Sequence, residues 1–156
     1  MILNTYLGGG MSSLLFQKVR EELGLVYSIF SFNDFLIDNG LFGVYFSTDP
    51  RHINPIIQLI KTELNQLSRN SINSETLSTL KNQLKGNLML GLESTIARMN
   101  RLAKNEMYYN HRIPLDDIVK KIDRVTIDDI LTVANELFDD DTYVTTVLKP
   151  VKAISK

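Results

Sequence analysis

Early in the chain the apolar residues change period, and the change marks a helix followed by a hairpin. Leu15, Phe16, Val19 and Leu23 recur at spacings near three and four, which predicts a helix over Ser12–Glu22. Ser12 or Ser13 is placed to cap its start, and Gly24, free to adopt positive φ, to close it. From Leu25 to Ile37 the period drops to two, with Tyr27, Ile29 and Phe35 on one parity and Val26, Phe30 and Phe32 on the other. Apolar residues on both parities predict a strand covered on both faces for part of its length. Asp38-Asn39-Gly40 predicts a turn built on positive φ, and Leu41–Thr48 predicts the returning strand, ended by Asp49-Pro50.

The period then returns to that of helices. Ile56, Leu59, Ile60, Leu64 and Leu67 form one stripe. Asn73-Ser74-Glu75 starts a second helix with Leu77, Leu80 and Leu84 inward, weakened beyond Gly86 and Gly91. A third runs from about Thr95 to Tyr109. Pro114 opens a short helix carrying Ile118 and Ile122. Thr126 and Asp129 form a variant capping box ahead of Ile130, Val133, Ala134 and Leu137. The β-branched run Thr142–Leu148 predicts a final strand. Two strands, then helices, then a strand give an α+β class, a mainly antiparallel sheet with helices packed on one face.

Composition narrows the function. Apolar residues make up 44% and charged residues 22% of 156, and the net charge of −1 gives no footprint for nucleic acid or anionic lipid. The chain has no cysteine, which removes disulfides, thiolate zinc sites and a cysteine nucleophile. No apolar run reaches the roughly 18 residues of a membrane helix, and MILNTYLGGG lacks the basic region of a signal peptide. The expected location is the cytoplasm, or an organelle matrix if the source is eukaryotic, and the lack of cysteine fits a reducing compartment. Ile2, Leu3, Tyr6 and Leu7 crowd against the start, as expected of a single domain over residues 1–156 that lacks upstream material.

Candidate chemistry is sparse. His52 and His111 are the two histidines, each in a loop without a partner at helical spacing, so no catalytic zinc is expected in this chain. Gly8-Gly9-Gly10 precedes a helix, but Met11-Ser12-Ser13-Leu14 follows where a phosphate loop needs Lys-Ser/Thr. Close backbone packing, or a loop over a peptide site, is the better account. Ser12, Ser13 and Ser28 lack a local histidine, and Asp139-Asp140-Asp141 reads as a solvated turn. Arg20 and Tyr27 sit seven residues apart across the Gly24 corner. An arginine offers five fixed donors, and a tyrosine hydroxyl can donate to a carbonyl oxygen or oxyanion. Taken alone, they are better read as a surface helix residue and a packing residue.

Larger patterns shift that balance. LGGGMSS, then F-Q-x-V-R-E, then G-L-x-Y-S resembles the opening of the C-terminal domain of the insulinase/pitrilysin-type zinc peptidases, the group that includes the mitochondrial processing peptidase. Lys81 with Gly86, Leu92-Glu93-Ser94, Arg98-Met99, Val125-Thr126, Asp129-Ile130 and Ala134 extend the resemblance over nearly the whole chain. It implies a chamber between two halves. The first half carries zinc on an inverted HxxEH motif plus a distal glutamate. The second supplies an arginine and a tyrosine seven residues apart, which Arg20 and Tyr27 match. Gly8, Gly9 and Gly10, with Met11 and Ser12, would line the chamber and touch substrate. Leu14 departs from the arginine common after MSS, and MILNTY corresponds to the middle of a helix.

The expectation is therefore the C-terminal half of a zinc-dependent metalloendopeptidase, inactive alone. It would hold no cofactor itself, with zinc in the parent's N-terminal half. Its partners would be a zinc-bearing N-terminal domain or subunit, a peptide substrate, and a second copy through the truncated edge, with no nucleic acid and no membrane. The alternative is a non-catalytic structural or binding subunit of the same fold, of the processing-complex or core-protein kind.

Overall fold

The computed structural model describes residues 1–70, 72–139 and 143–149. The chain opens with helix α1 (Ile2–Gly8), then turns through the glycines into a helical segment that starts at Leu14 and becomes a π-helix over Phe16–Glu22. The antiparallel strands β1 (Ser28–Phe35) and β2 (Gly40–Ser47) form a two-stranded sheet. After a short 3-10 turn at Pro50–His52 come α2 (Ile53–Arg69), α3 (Ser74–Gly91), α4 (Thr95–Tyr109), α5 (Leu115–Arg124) and α6 (Ile127–Leu137). The α+β class and the placing of helices on one sheet face hold. Helix α1 lies on β1 and touches α3 and α6, while α2 packs on α6 and α3 on α5.

The core follows the apolar periods. Leu7, Leu15, Val19 and Ile56 are fully buried, joined by Ile60, Leu64, Leu67, Leu77, Leu80, Ile130 and Ala134. Phe138, just past α6, is buried edge-on to Phe42 with ring centroids 5.4 Å apart. The Asn73 side chain accepts from the Thr76 N–H at 2.7 Å and starts α3, which continues through Gly86 to Gly91. The capping box is complete. The Thr126 N–H donates to Asp129 Oδ2 at 2.8 Å and the Asp129 N–H to Thr126 Oγ1 at 3.1 Å. The Thr126 N–H, and the Thr126 hydroxyl that also lies 2.8 Å from Asp129 Oδ2, favour the ionised carboxyl and hold its pKa below the usual value. Among the described residues no helix is long and apolar enough to cross a membrane.

Several local expectations change. Neither Ser12 nor Ser13 caps the first long helix: the Ser13 hydroxyl instead donates back to the Gly10 carbonyl at 2.6 Å. Leu23 is exposed, because the π-helical Leu23 N–H bonds the Lys18 carbonyl five residues back, which widens the turn and swings Leu23 off the stripe. The hairpin loop closes with the Leu36 N–H on the Asn39 carbonyl at 2.9 Å, and neither Asn39 nor Gly40 has positive φ. The strands are covered on one face only: Ile29 and Ser31 point into the core, while Phe30 and Phe32 point to water. Residues 143–149 form no strand, and Thr142 lies outside the described residues. Tyr143 packs against the core under the Lys61 ammonium, yet a groove of about 280 Å³ separates Tyr143–Thr146 from the inner side chains of β2. Of Asp139-Asp140-Asp141, only Asp139 is described.

One buried charge ties the π-helix to α2. Lys18 Nζ lies 2.7 Å from Glu63 Oε2, and Glu63 is 6% exposed. Tyr6 is close to both, and burial pushes its phenol up from the usual value. Lys18→Met strands the Glu63 carboxylate. Because Lys18 itself is partly solvated, the expected loss is about 2 kcal/mol, below the full cost of breaking a buried pair. The double variant Lys18→Met/Glu63→Leu should recover most of it. Urea unfolding curves of the three proteins check both numbers, and an unchanged Lys18→Met midpoint contradicts the account.

Candidate functional site

The corner between the π-helix and β1 places Arg20 and Tyr27. Gly24 has φ +60°, which lets the chain reverse without strain, and the Leu25 N–H then reaches back to the Val19 carbonyl at 3.1 Å. The Thr48 hydroxyl donates to the Leu25 carbonyl, and the Tyr27 N–H donates to the Ser47 carbonyl at 2.8 Å. These bonds fix the Tyr27 backbone at the open end of the hairpin. Its side chain is 76% exposed. Arg20 is also exposed, and its guanidinium lies over the Phe16 ring, 4.7 Å from the centroid. No hydrogen bond joins Arg20 to Tyr27 among the described residues.

A second arginine stands at the end of the hairpin that carries Tyr27. Arg51 follows β2 in the 3-10 turn, within electrostatic reach of the Tyr27 phenol. Its guanidinium bonds Asp49 twice, Nε to Oδ1 at 2.9 Å and Nη2 to Oδ2 at 3.2 Å, and holds the Asp49 carboxyl down to about 2. Sequence reasoning missed Arg51. It follows a strand-ending Asp-Pro, and its approach to Tyr27 comes from hairpin register, which no local motif reports.

The glycine-rich segment divides in two. Gly8 is buried: a Cβ there would stand 2.1 Å from the Ser31 backbone nitrogen and 2.7 Å from Ser31 Oγ. The Ser31 hydroxyl in turn lies 3.0 Å from the Asn4 carbonyl oxygen and 2.8 Å from Asn4 Oδ1. Gly8 therefore serves the packing of α1 on β1. A Cβ on Gly9 would meet the Thr5 Cα at 2.7 Å, although Gly9 itself is at the surface. Gly10 has open space around it, and Gly10, Met11 and Ser12 are exposed. Gln17 pins this rim by donating from Nε2 to the Met11 carbonyl at 2.6 Å.

The two histidines lie apart among the described residues. His52 ends the 3-10 turn before α2, whereas His111 follows α4, its Nδ1 2.7 Å from the Tyr109 carbonyl oxygen. Among the described residues no three of His, Cys, Asp or Glu converge.

Known proteins resemble this chain in sequence and fold. A family model described as "Peptidase M16 inactive domain" matches residues 1–84. An uncharacterized zinc protease of Streptomyces coelicolor is 40% identical over 87% of this chain and 30% of its own length. The uncharacterized zinc protease YmxG of Bacillus subtilis is 37% identical over 96% of this chain and 36% of its own. The crystal structure of a peptidase M16 inactive domain from Pseudomonas fluorescens superposes with a TM-score of 0.71 at 21% identity, covering 87% of this chain and 32% of that one. This chain thus spans about a third of the length of those relatives. With the family model covering more than half of it, the chain belongs to the peptidase M16 inactive-domain family.

Proposed function

We propose that this chain is the substrate-side half of a zinc-dependent metalloendopeptidase, facing a zinc-bearing N-terminal domain or subunit across a peptide-binding chamber. The observation that carries this reading is the exposure of Arg20 and Tyr27 at the two ends of one braced corner, with a packed core behind them. Exposed side chains on a fixed backbone suit a site completed by another body. The metal chemistry would belong to that other body, since no three of His, Cys, Asp or Glu converge among the described residues.

Each residue then has a separate task. The Tyr27 hydroxyl donates to the carbonyl oxygen of the bond under attack and more strongly to the oxyanion that follows. Arg20, oriented by its contact with Phe16, binds a peptide carbonyl or carboxylate with its fork of donors. Arg51 adds positive potential at the Tyr27 end. Gly10, Met11 and Ser12 form the rim that meets the peptide, and Gly8 and Gly9 hold that rim against α1 and β1. No other described strand pairs with the outer edges of the hairpin. Such edges can accept a strand from the zinc-bearing half or from a second copy. Peptide hydrolysis by the chain alone, and by the chain joined to a zinc-bearing half, tests the reading.

A further inference from the structure

We propose that the solvent face of the hairpin is a subsite for substrate side chains. Phe30, Phe32 and Tyr45 would take large apolar side chains of an extended polypeptide segment, and Asp34 would take a cationic residue flanking them. This inference rests on the reading of the chain as a substrate-side half.

The register builds the row. Phe30 pairs with Tyr45, Phe32 with Gly43 and Asp34 with Leu41. Because alternate residues of a strand share a face, all six lie opposite Ile29 and Ser31, which point into the core. The helices cover the inner face, so the outer row stands in water: Phe30 is 45%, Phe32 40% and Tyr45 48% exposed. The rings are nonetheless ordered against each other. Phe30 stacks on Tyr45 with centroids 5.0 Å apart and stands 6.3 Å from Phe32. Gly43 makes room for Phe32, since a Cβ there would lie 2.4 Å from the Phe32 Cζ. Scattered exposed apolar residues are ordinary, whereas adjacent aromatic rings in a row mark a contact surface.

Geometry and charge choose the occupant. Side chains on one face of a strand repeat about every 7 Å, the repeat of an extended peptide laid along it. Asp34 continues the row beyond Phe32, is exposed, and makes no ion pair among the described residues. The cations Arg20 and Arg51 belong to the opposite, Tyr27 end of the hairpin. A peptide with its basic flank at Asp34 is therefore favoured over the reverse. A carboxylate beside the row also disfavours an anionic lipid surface, which selects flanking cations instead.

The test is fluorescence anisotropy on the 156-residue chain with three labelled peptides. The first has Phe or Leu at alternate positions and an arginine flank. The second has Ser at the apolar positions. The third has a glutamate flank. The first should bind about tenfold more tightly than either of the others. Phe30→Ser/Tyr45→Ser should erase the apolar preference, and Asp34→Lys should reverse the flank preference, with circular dichroism confirming that both variants fold. Equal binding of the three peptides overturns the inference. So does a preference that survives Phe30→Ser/Tyr45→Ser, or a wild-type dimer in sedimentation that those substitutions dissociate. Binding is read without hydrolysis, so failure here is distinct from failure of the Tyr27 role.

Discussion

In an enzyme reconstituted from this chain and a zinc-bearing half, Tyr27→Phe lowers kcat/KM about tenfold to a thousandfold, the range for losing one oxyanion donor. The substitution removes one hydroxyl. That side chain is 76% exposed, so neither packing nor a buried polar group confuses the result. The backbone bond from the Tyr27 N–H to Ser47 is untouched, and the aromatic ring keeps its place. Because the bond strengthens as charge develops on the carbonyl oxygen, the loss should fall on kcat with KM little changed. Steady-state kinetics on one peptide substrate separates the two. Unchanged kcat and KM would remove the Tyr27 hydroxyl from catalysis.

Gly8→Ala should unfold the chain or cost about 3 kcal/mol or more, the upper end of overpacking penalties. The reason is the 2.1 Å approach of the added Cβ to the Ser31 backbone nitrogen. A flexible side chain could move aside, but here the neighbour is strand backbone inside the β1–β2 ladder. Relief requires lifting α1 from β1, which opens the core at Leu7 and breaks the Ser31–Asn4 contacts. Gly10→Ala, with nothing within 4 Å of its Cβ, is the control and should leave stability within about 0.5 kcal/mol. Thermal melts of both variants give the comparison. Equal melting temperatures would contradict the division of the glycine segment into a packed part and an exposed rim.

These two positions show what the sequence reveals and what it hides. The helix-to-strand corner was legible, because Gly24 sits where the apolar period changes and adopts positive φ without strain. Helices α2, α3 and α6 follow from their stripes, and α3 and α6 also from their caps, which are local. The glycine triplet reads as one motif, yet its members differ by what faces them across the fold: β1 for Gly8, α1 for Gly9, and open space for Gly10. Burial of the hairpin faces was misjudged for a related reason. Alternation reports which residues share a face, not whether another layer covers it, so Phe30 and Phe32 read as core and stand in water. The strand expected near the end fails because β-branched residues favour extended backbone without supplying an edge to pair with. Arg51 went unnoticed because its neighbour Tyr27 lies across the hairpin in space and outside any local motif.

The most direct test of the central claim is cleavage of a fluorogenic peptide by three samples: this chain alone, a zinc-bearing half from a longer zinc protease relative alone, and the two mixed. The account predicts no cleavage by the chain alone and hydrolysis by the mixture well above that of the zinc-bearing half. Peptide cleavage by the chain with no partner added, or a mixture no faster than the zinc-bearing half by itself, would contradict it.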